Sequence, residues 1–533
     1  MNGYLIALIV FVAWIGLVYI LKTTKWLDRH SMGLFGPMIM WRTRKGRDLI
    51  ERLASWKRLW NIYGKLALWI CAGAMVLIMT LLLWEATIVS QVENAPAPEL
   101  ILGIPGINPV IPLGYGILGL AIAIIVHEFS HGIMTRLGGM KIESLGLVFL
   151  VFPMGAFVEP NEQELQTTTR SKRAKVFAAG PASNMILAML MLSLFSGVMM
   201  SSVEPTQEGA LALGVVQDSP ADVAGLLPSC VITSIGGVDI AGPDDFDARS
   251  ASNPGELVTV TYYFKGDSLS ATFVDGVVVA YVAEGYAAHN AGIRAGMVMI
   301  SLDGHLLGNT EAISDVMSGL SPGDTVPVSV LSYDADSSQF VVDTSITEVT
   351  LSNKWDYYDE FNPSENDPSY EGVAYLAGGF LNLGVRAEDP GYYADTLANP
   401  FSGDNDLSDF SRSWLRMIAL PFLDLAPLRS PITDLYEPSG SLAWMPDGAF
   451  WLLTNSLYWI FWLNLMIGLT NVLPAVPLDG GYIFRDGIDY LLDKSGRKYS
   501  KEQKDKIVGG ITLGLALLVL FLILWQLVGP AVL

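Results

Sequence analysis

Cysteine and histidine are both scarce in this sequence. Two cysteines occur among 533 residues, Cys71 in a long apolar run and Cys230 in an acidic stretch. Because these two positions are not expected to meet, neither a disulfide framework nor a thiolate metal site is available. The five histidines restrict any metal site to a small number of imidazole ligands.

Positive charge is also in short supply. The chain has 32 Lys and Arg residues against 53 Asp and Glu, which gives a net charge of -21. This balance argues against nucleic acid as a partner, because an acidic protein repels phosphate backbones. Charged residues make up only 16% of the chain and hydrophobic residues 51%. This composition argues against a purely soluble protein.

Long apolar runs predict a polytopic α-helical membrane protein with about six transmembrane helices. A spanning helix needs about 20 apolar residues. The first run lacks a basic start and a cleavage site, so we expect a retained helix rather than a signal peptide. Basic clusters within 22–47, 170–175 and 494–506 predict cytoplasmic loops, which leaves both termini and the acidic middle outside the cell. The predicted spans are Gly3–Leu21, Leu66–Ser90, Pro112–Leu137, Ala174–Met200, Phe450–Leu473 and Val508–Leu533.

The acidic middle, 201–450, is predicted to be an inserted, extracytoplasmic and mainly β region. Segments 214–240 and 278–307 share one order of elements: a strand, a small-residue turn, a short helix after an Ala-Gly step, and a strand with a hairpin turn. Both resemble PDZ domains of bacterial and archaeal proteases, the first through SPADVAGL at 219–226 and the second more loosely. PDZ domains add an extended peptide to a sheet edge, and a spacer that blocks access by size is the alternative.

The remainder of the acidic middle, 351–449, is predicted to be a loop-rich segment, because it is polar and rich in turn formers. Within it, 410–428 has apolar residues near helical spacing. This pattern predicts a helix that either lies on the outer leaflet or packs against the globular module.

The motif HEFSH, residues 127–131, places ionisable side chains inside an apolar run. On a helix, His127 and His131 share one face and can bind one metal ion, while Glu128 can reach a water molecule beside that ion. A charged group at bilayer depth costs about 2.5–3.5 kcal/mol. A structural histidine pair, the alternative for a soluble helix, therefore explains the motif poorly.

A third ligand is needed, because catalytic zinc usually takes three protein ligands and keeps one position open. The other histidines lie outside the predicted spans, so a carboxylate is expected. Asp479, in NVLPAVPLDGG at the end of the fifth span, is the acid nearest to membrane depth. The alternative is that Asp479-Gly480 simply forms the turn that leaves the membrane.

The HEFSH motif together with the N-x-x-P-x-x-P-L-D-G-G motif resembles the site-2 protease family, whose members are intramembrane zinc metalloproteases. The resemblance implies a Zn²⁺ cofactor and transmembrane proteins as substrates. It also implies that a hairpin at 146–160 pairs with an extended substrate. The roles implied are His127, His131 and Asp479 as zinc ligands, Glu128 as acid/base, Asn471, Gly155, Ala156, Phe157 and Val158 in substrate binding, and Gly180, Pro181, Asn184 and Gly480 as structural residues of the core motifs.

These features predict an intramembrane zinc endopeptidase of the cell membrane, with its catalytic site toward the cytoplasm and its PDZ-like domains selecting substrate or binding peptide tails. A membrane-anchored PDZ adaptor without proteolytic activity is the alternative, and a metal-ion transporter would need more intramembrane ligands. The predicted domains are an N-terminal transmembrane pair with a basic loop (1–110), the first half of the catalytic core (111–200), PDZ-like domains at 207–275 and 276–350, the loop-rich segment (351–449), the second half of the core (450–484) and a basic loop with the last helix (485–533).

Overall fold

The computed structural model describes residues 3–30, 32–43, 46–89, 97–100, 103–150, 152–249, 253–401, 407–423, 425–497 and 499–532. The chain forms two compact units. The helical unit comprises Met1–Val198, Gly403–Pro427 and Leu452–Leu533, and the β unit comprises Met199–Ser402 and Leu428–Trp451.

The helices and strands follow one another along the chain with these bounds. The helices are α1 Gly3–Thr23, α2 Trp26–Arg29, α3 Arg47–Ala54, α4 Lys57–Ile88, α5 Leu113–Leu137, α6 Glu162–Thr167, α7 Arg170–Leu194, α8 Pro220–Val223, α9 Pro243–Ala248, α10 Ala287–Asn290, α11 Thr310–Met317, α12 Lys354–Phe361, α13 Tyr392–Ala398, α14 Leu407–Ala419, α15 Asp447–Asn471, α16 Asp479–Lys494 and α17 Lys501–Val532. The strands are β1 Met32–Phe35, β2 Met38–Thr43, β3 Ile142–Leu150, β4 Phe152–Pro160, β5 Val203–Pro205, β6 Ala210–Val215, β7 Val231–Ile235, β8 Val238–Asp239, β9 Leu257–Phe264, β10 Asp267–Val274, β11 Val277–Val282, β12 Val298–Leu302, β13 His305–Leu306, β14 Thr325–Asp334, β15 Gln339–Val342, β16 Glu348–Thr350, β17 Ser352–Asn353, β18 Ala374–Tyr375, β19 Gly378–Asn382, β20 Val385–Glu388 and β21 Tyr436–Pro438.

Among the described residues, five helices are long and apolar enough to cross a membrane. These are α4, α5, α15, α17 and the stretch Arg170–Ser202 that begins with α7. The first predicted span is also helical, but its described apolar stretch, Phe11–Thr23, is shorter than a span. The described residues therefore fit a membrane protein with five candidate spanning helices, and the sixth predicted span stays a prediction. Arg44, Lys45 and Lys498, on which the topology prediction partly depends, lie outside the described residues.

A four-stranded antiparallel sheet accompanies the membrane helices. Strands β3 and β4 form the predicted hairpin, with Leu145 opposite Val158 and Val148 opposite Gly155. The sheet order is β1-β2-β3-β4, so β4 is an edge strand. Residues 32–43, which the sequence predicted as part of a basic loop, instead form β1 and β2. The alternation of MIMWRT is short and is flanked by basic residues, which hid its strand character.

Small residues bring α4 and α7 close together within the helical unit. Ala67 and Cys71 of α4 pack with Ala178 and Ala182 of α7 in one buried cluster. Small side chains allow close approach of helix backbones where lipid provides no hydrophobic driving force. Helix α7 thereby receives a fixed position beside α5, on which the HEFSH motif lies.

The β unit contains two sheets with the same order of elements. In the first sheet, β6, α8, β7, β8, α9 and β9 follow one another; in the second, β11, α10, β12, β13, α11 and β14 do so. The buried cysteine of the first sheet, Cys230, is a free thiol whose pKa burial raises to about 12. Cys71 is also free and buried.

The predicted boundary at residue 350 is wrong, because the segment 351–449 supplies strands to both sheets. Strand β19 pairs with β11 at the edge of the second sheet, and β20 pairs with β6 at the edge of the first. The first module is therefore discontinuous in sequence, and the second module is nested within it. The stretch LAGGFLNLGV was predicted as loop because glycine is depleted in strands.

Helix α14 lies where the sequence predicted a helix, and its described contacts are with α15; its position on the outer leaflet stays a prediction. The Tyr458 hydroxyl of α15 donates to the Met417 carbonyl at 2.8 Å, and the Trp462 indole donates to the Ile418 carbonyl at 3.0 Å. Helix α14 therefore packs on α15 within the helical unit. Aromatic hydrogen-bond donors at membrane depth need such acceptors, and the sequence alone gave no partner for them.

Candidate metal centre

The two histidines of HEFSH lie one turn apart on α5. Their ring centroids are 4.7 Å apart, as the spacing of four residues on one helical face predicts. His127 is buried, with 8% of its surface exposed. The apolar helix thus holds both imidazoles together in an interior position.

Asp479 reaches both imidazoles from a distant part of the chain. Its Oδ2 lies 3.1 Å from Nε2 of His127 and 3.2 Å from Nε2 of His131. One ligand atom from each of the three residues lies within 4.8 Å of the others. Among the described residues, this is the group of His, Cys, Asp or Glu side chains that could hold a metal ion.

The position of Asp479 depends on a close contact between the start of α16 and the segment that follows α15. Asp479 is the first residue of α16, where the helix dipole favours a carboxylate. At the next position, a Cβ atom on Gly480 would lie 2.1 Å from the Val472 carbonyl oxygen. Only glycine allows this contact between the end of α15 and the start of α16, which explains the Asp-Gly pair.

Helix α7 supplies the groups that orient the two imidazoles. Nδ1 of His131 donates to the Val176 carbonyl at 2.7 Å, which leaves the Nε2 lone pair facing Asp479. Nδ1 of His127 lies 3.3 Å from the Asn184 amide. The buried Asn184 Oδ1 has no hydrogen-bond partner among the residues that the structure describes. With the amide rotated by 180°, Oδ1 accepts from Nδ1–H of His127, and both rings then present Nε2 as ligand atoms.

Gly180 leaves open the space in front of the two ligand nitrogens. A Cβ atom at this position would lie 2.5 Å from Nε2 of His131 and 2.6 Å from Nε2 of His127. Any larger residue would fill the position that an ion requires. This open space, the unpartnered Asn184 oxygen and the donor set of two imidazoles and one carboxylate all fit zinc.

Glu128 and Asn471 also line the cavity that contains the three ligand atoms, which measures about 340 Å³. Glu128 Oε2 accepts from the Val158 backbone N–H at 2.9 Å. Asn471 lies at the end of α15, and its Nδ2 donates to the Ile467 carbonyl at 3.0 Å. The acid and the amide implied by the family resemblance therefore lie in one cavity with the three candidate ligands.

The predicted substrate-binding strand reaches this cavity at one end. Val158 of β4 lines the cavity and is buried, whereas Gly155, Ala156 and Phe157 are half-buried. Since the Val158 N–H points to Glu128, the alternation of a β-strand directs the polar groups of Ala156 to the same free edge. Of the four predicted substrate-binding residues of β4, Val158 is the one among the residues that line the cavity.

Two polar residues of the helices that carry the site, Ser130 of α5 and Asn464 of α15, donate to carbonyl groups of their own helices. The Ser130 hydroxyl donates to the Val126 carbonyl at 2.7 Å and is in contact with the Ser183 hydroxyl. Asn464 donates to the Ile460 carbonyl of its own helix at 2.7 Å. Pro181, for which the family resemblance implies a structural role, follows Gly180 within α7.

Two aromatic residues of the cavity wall were missed by sequence reasoning. The Phe177 and Tyr482 rings stack with centroids 4.5 Å apart and an interplanar angle of 11°. Both line the cavity. Phe177 lies three residues before Gly180, and Tyr482 lies three residues after Asp479. This spacing could not identify the two rings from sequence, because they meet only through the packing of α7 on α16.

The fold and the donor set together define a class: a membrane protein with a candidate His-His-Asp metal site and a glutamate in the same cavity. The model of Peptidase family M50 matches residues 115–521. An uncharacterized protein of Methanocaldococcus jannaschii is 32% identical over 198 residues, which cover 36% of this chain and 50% of that protein. Zinc metalloprotease RasP of Shouchella clausii is 33% identical over 115 residues, 21% of this chain and 26% of RasP. RasP of Oceanobacillus iheyensis is 31% identical over 123 residues, 22% and 27% of the two chains.

The family match extends over more than half of the chain, so the protein belongs to Peptidase family M50, the site-2 protease family. The chain spans about half the length of the archaeal relative and about a quarter of each RasP protein. At the level of the family, the predicted class of zinc metalloprotease and the predicted zinc cofactor are confirmed.

Proposed function

We propose that this protein is an intramembrane zinc endopeptidase that cleaves membrane proteins within or near their transmembrane segments. The observation that carries the proposal is the convergence of His127, His131 and Asp479 beside Glu128 in one cavity of the helical unit. The sequence neighbours of these residues are apolar, and a site of this kind in lipid requires a function that repays its cost.

His127, His131 and Asp479 would hold the zinc ion through Nε2, Nε2 and a carboxylate oxygen. When bound, zinc supplies Lewis acidity, which lowers the pKa of water and polarises a carbonyl oxygen. Val176 and Asn184 keep both imidazoles in the ligating tautomer. Glu128 then takes a proton from the attacking water and returns it to the amine leaving group.

The free edge of β4 would bind the substrate as an additional strand. A helical substrate has its backbone amides bonded internally, so it must unwind before a peptide bond reaches the ligands. Pairing with the polar groups of Ala156 replaces the hydrogen bonds lost. The Val158 N–H holds Glu128 at the end of this strand, which aligns the acid/base with the bound peptide.

The β unit would select substrates through two PDZ-like modules. Strands β19 and β20 are edges of their sheets, and α11 and α9 lie beside them. An edge strand facing a helix is the arrangement in which PDZ domains accept an extended peptide. The same edges would serve a non-proteolytic adaptor, but an adaptor has no use for Glu128 beside a metal site.

The decisive experiment compares the wild type with Glu128→Gln. Purified protein in detergent is incubated with a model single-span membrane substrate, with and without a zinc chelator. We expect the variant to retain zinc and to lose cleavage by at least about 100-fold, because general acid–base catalysis contributes roughly 10²–10⁴. Cleavage that persists in Glu128→Gln would exclude the acid/base role, and a wild type that binds peptides without cleaving them would favour the adaptor.

A second experiment tests the ligand set. Asp479→Ala should lose zinc while its expression and membrane insertion survive, because removing one of three ligands opens the site without disturbing the packing of α16. Full zinc occupancy in this variant would contradict the assignment of Asp479.

The orientation of the protein in the membrane is also part of the proposal. A cysteine introduced at the exposed position Asp267 of β10 should react with a membrane-impermeant thiol reagent on intact cells. The native cysteines are buried and give little background. Protection of this cysteine in intact cells, with labelling after lysis, would contradict an extracytoplasmic β unit.

A further inference from the structure

Helices α7 and α16 contact each other in a regular antiparallel register that ends at the metal site. Arg173 of α7 pairs with Asp486 of α16, and one turn further along α7 the Phe177 ring stacks on Tyr482. One more turn leads to Gly180, which lies against the two imidazole nitrogens that Asp479 faces. The ion pair, the ring stack and the metal site therefore lie on one contact line between two helices.

In the Arg173–Asp486 pair the carboxylate is buried, the guanidinium is half-buried, and the two groups have a fixed relative orientation. The Arg173 Nε lies 2.9 Å from Asp486 Oδ2 and 3.1 Å from Oδ1, and Nη2 also donates to Oδ1. Asp486 is only 7% exposed. A bidentate guanidinium–carboxylate pair fixes direction as well as distance. It thus sets both the rotation and the axial position of α16 relative to α7.

The position of Asp479 depends on that rotation. Asp479 and Asp486 are seven residues apart, which is two helical turns, so both carboxylates lie on the same face of α16. A metal ligand must be held within about 0.5 Å and 10–20° of its productive geometry. The turn before α16 constrains the helix at Asp479, and the ion pair with Arg173 constrains it two turns later at Asp486.

We propose that Arg173 and Asp486 are positioning residues of the metal site, which hold α16 so that the Asp479 carboxylate meets the imidazoles on α5. The proposal rests on the assignment of Asp479 as a ligand under the proposed function. It assigns the ion pair an effect on zinc affinity that an ordinary helix-to-helix contact does not have.

The chain offers a matched control on the same two helices. Arg170 pairs with Asp489 one turn further from the site, in the same register. Its side chains are 36% and 24% exposed, and Lys504 contacts Asp489 at 2.7 Å, so loss of Arg170 does not leave the carboxylate unpaired. Exposed ion pairs contribute about 0–1 kcal/mol, and Arg170→Met should leave zinc binding unchanged.

The test measures zinc affinity of the purified full-length protein in detergent by competition with graded concentrations of a chelator. Asp486→Asn and Arg173→Met should weaken zinc binding by about 10–100-fold, as loss of groups that orient metal ligands does. The melting temperature of each metal-free variant is measured in parallel, since a merely structural role would change it without changing zinc affinity. The exchanged double variant, Arg173→Asp with Asp486→Arg, should recover part of the affinity.

The outcomes separate this proposal from the proposed function. Wild-type zinc affinity in Asp486→Asn, together with zinc loss in Asp479→Ala, would overturn the positioning role and leave the ligand set intact. Retained zinc in Asp479→Ala would overturn the ligand set itself. If Asp486→Asn fails to fold, Arg173→Lys replaces it, because lysine keeps the charge and loses the bidentate geometry. Wild-type affinity in Arg173→Lys would overturn the proposal, and weakened affinity would support it.

Discussion

The substitution Gly180→Ala should impair the metal site while the fold persists. The added Cβ would lie 2.5 and 2.6 Å from the two Nε2 atoms, whereas favourable contacts between non-bonded atoms lie at about 3.5–4.0 Å. Each ring must therefore move by roughly 1 Å. Ligand distances in a zinc site are constrained to about 0.2 Å, and a misplacement of about 1 Å can cost about 100-fold in rate. We expect zinc affinity and peptide hydrolysis each to fall by at least about 100-fold.

The stability of metal-free Gly180→Ala should change little, which separates an effect on the metal site from an effect on folding. Alanine is favoured over glycine by about 1 kcal/mol within a helix, and the imidazoles can rotate away from the new methyl group when no ion holds them. The melting temperature of metal-free Gly180→Ala should therefore stay close to that of the wild type.

Zinc content, chelator competition and cleavage of a membrane substrate measure the outcome for Gly180→Ala. The control is Gly73→Ala on α4, where a Cβ meets no atom within 4 Å and the same gain in helix propensity applies. Wild-type zinc affinity in Gly180→Ala would refute the reasoning, because it would mean that the space in front of the two nitrogens is not the metal position.

Three further predictions concern the strand beside the site and the β unit. Val158→Pro removes the backbone N–H that donates to Glu128, and a hydrogen bond to a charged group contributes about 1.5 kcal/mol or more. The rate of cleavage should therefore fall about tenfold at unchanged zinc content. An unchanged rate would mean that Glu128 does not need this hydrogen bond. Arg249→Met breaks the buried ion pair of the first β module and should lower the stability of the β unit by about 3 kcal/mol, measured by denaturant unfolding; a change below about 0.5 kcal/mol would contradict a buried pair. Deletion of 207–388 should relax substrate selection and preserve hydrolysis. A deletion of 207–350 leaves β19 and β20 without partner strands and should make the protein aggregate. Equal behaviour of the two deletion variants would contradict the nested arrangement.

The convergence of His127, His131 and Asp479 could be predicted from the sequence because the geometry behind it is local or rare. The spacing of His127 and His131 determines their common face on any helix. Asp479 could be named because few acids lie near membrane depth. The orienting groups could not be predicted, because the Val176 carbonyl and the open space at Gly180 depend on how α7 packs against α5.

The sequence predicted the β unit less completely, for a physical reason. Strands β6 and β11 are continuous apolar runs, so each half of the internal similarity was visible. Strands β19 and β20 are short, contain or adjoin glycine, and pair with residues far away in sequence. Periodicity gives no information about such distant partners.

The nested order of the two β modules also determines when each can fold during synthesis. Strand β6 must wait for β20, which the ribosome delivers only after the whole second module. Until then the first sheet carries an open edge, which is a template for aggregation or for wrong pairing. Folding of the second module places β19 at the edge of the second sheet. Because only Leu383 and Gly384 separate β19 from β20, this step also brings β20 to the open edge of the first sheet. The first module can therefore complete its sheet only after the second module has folded.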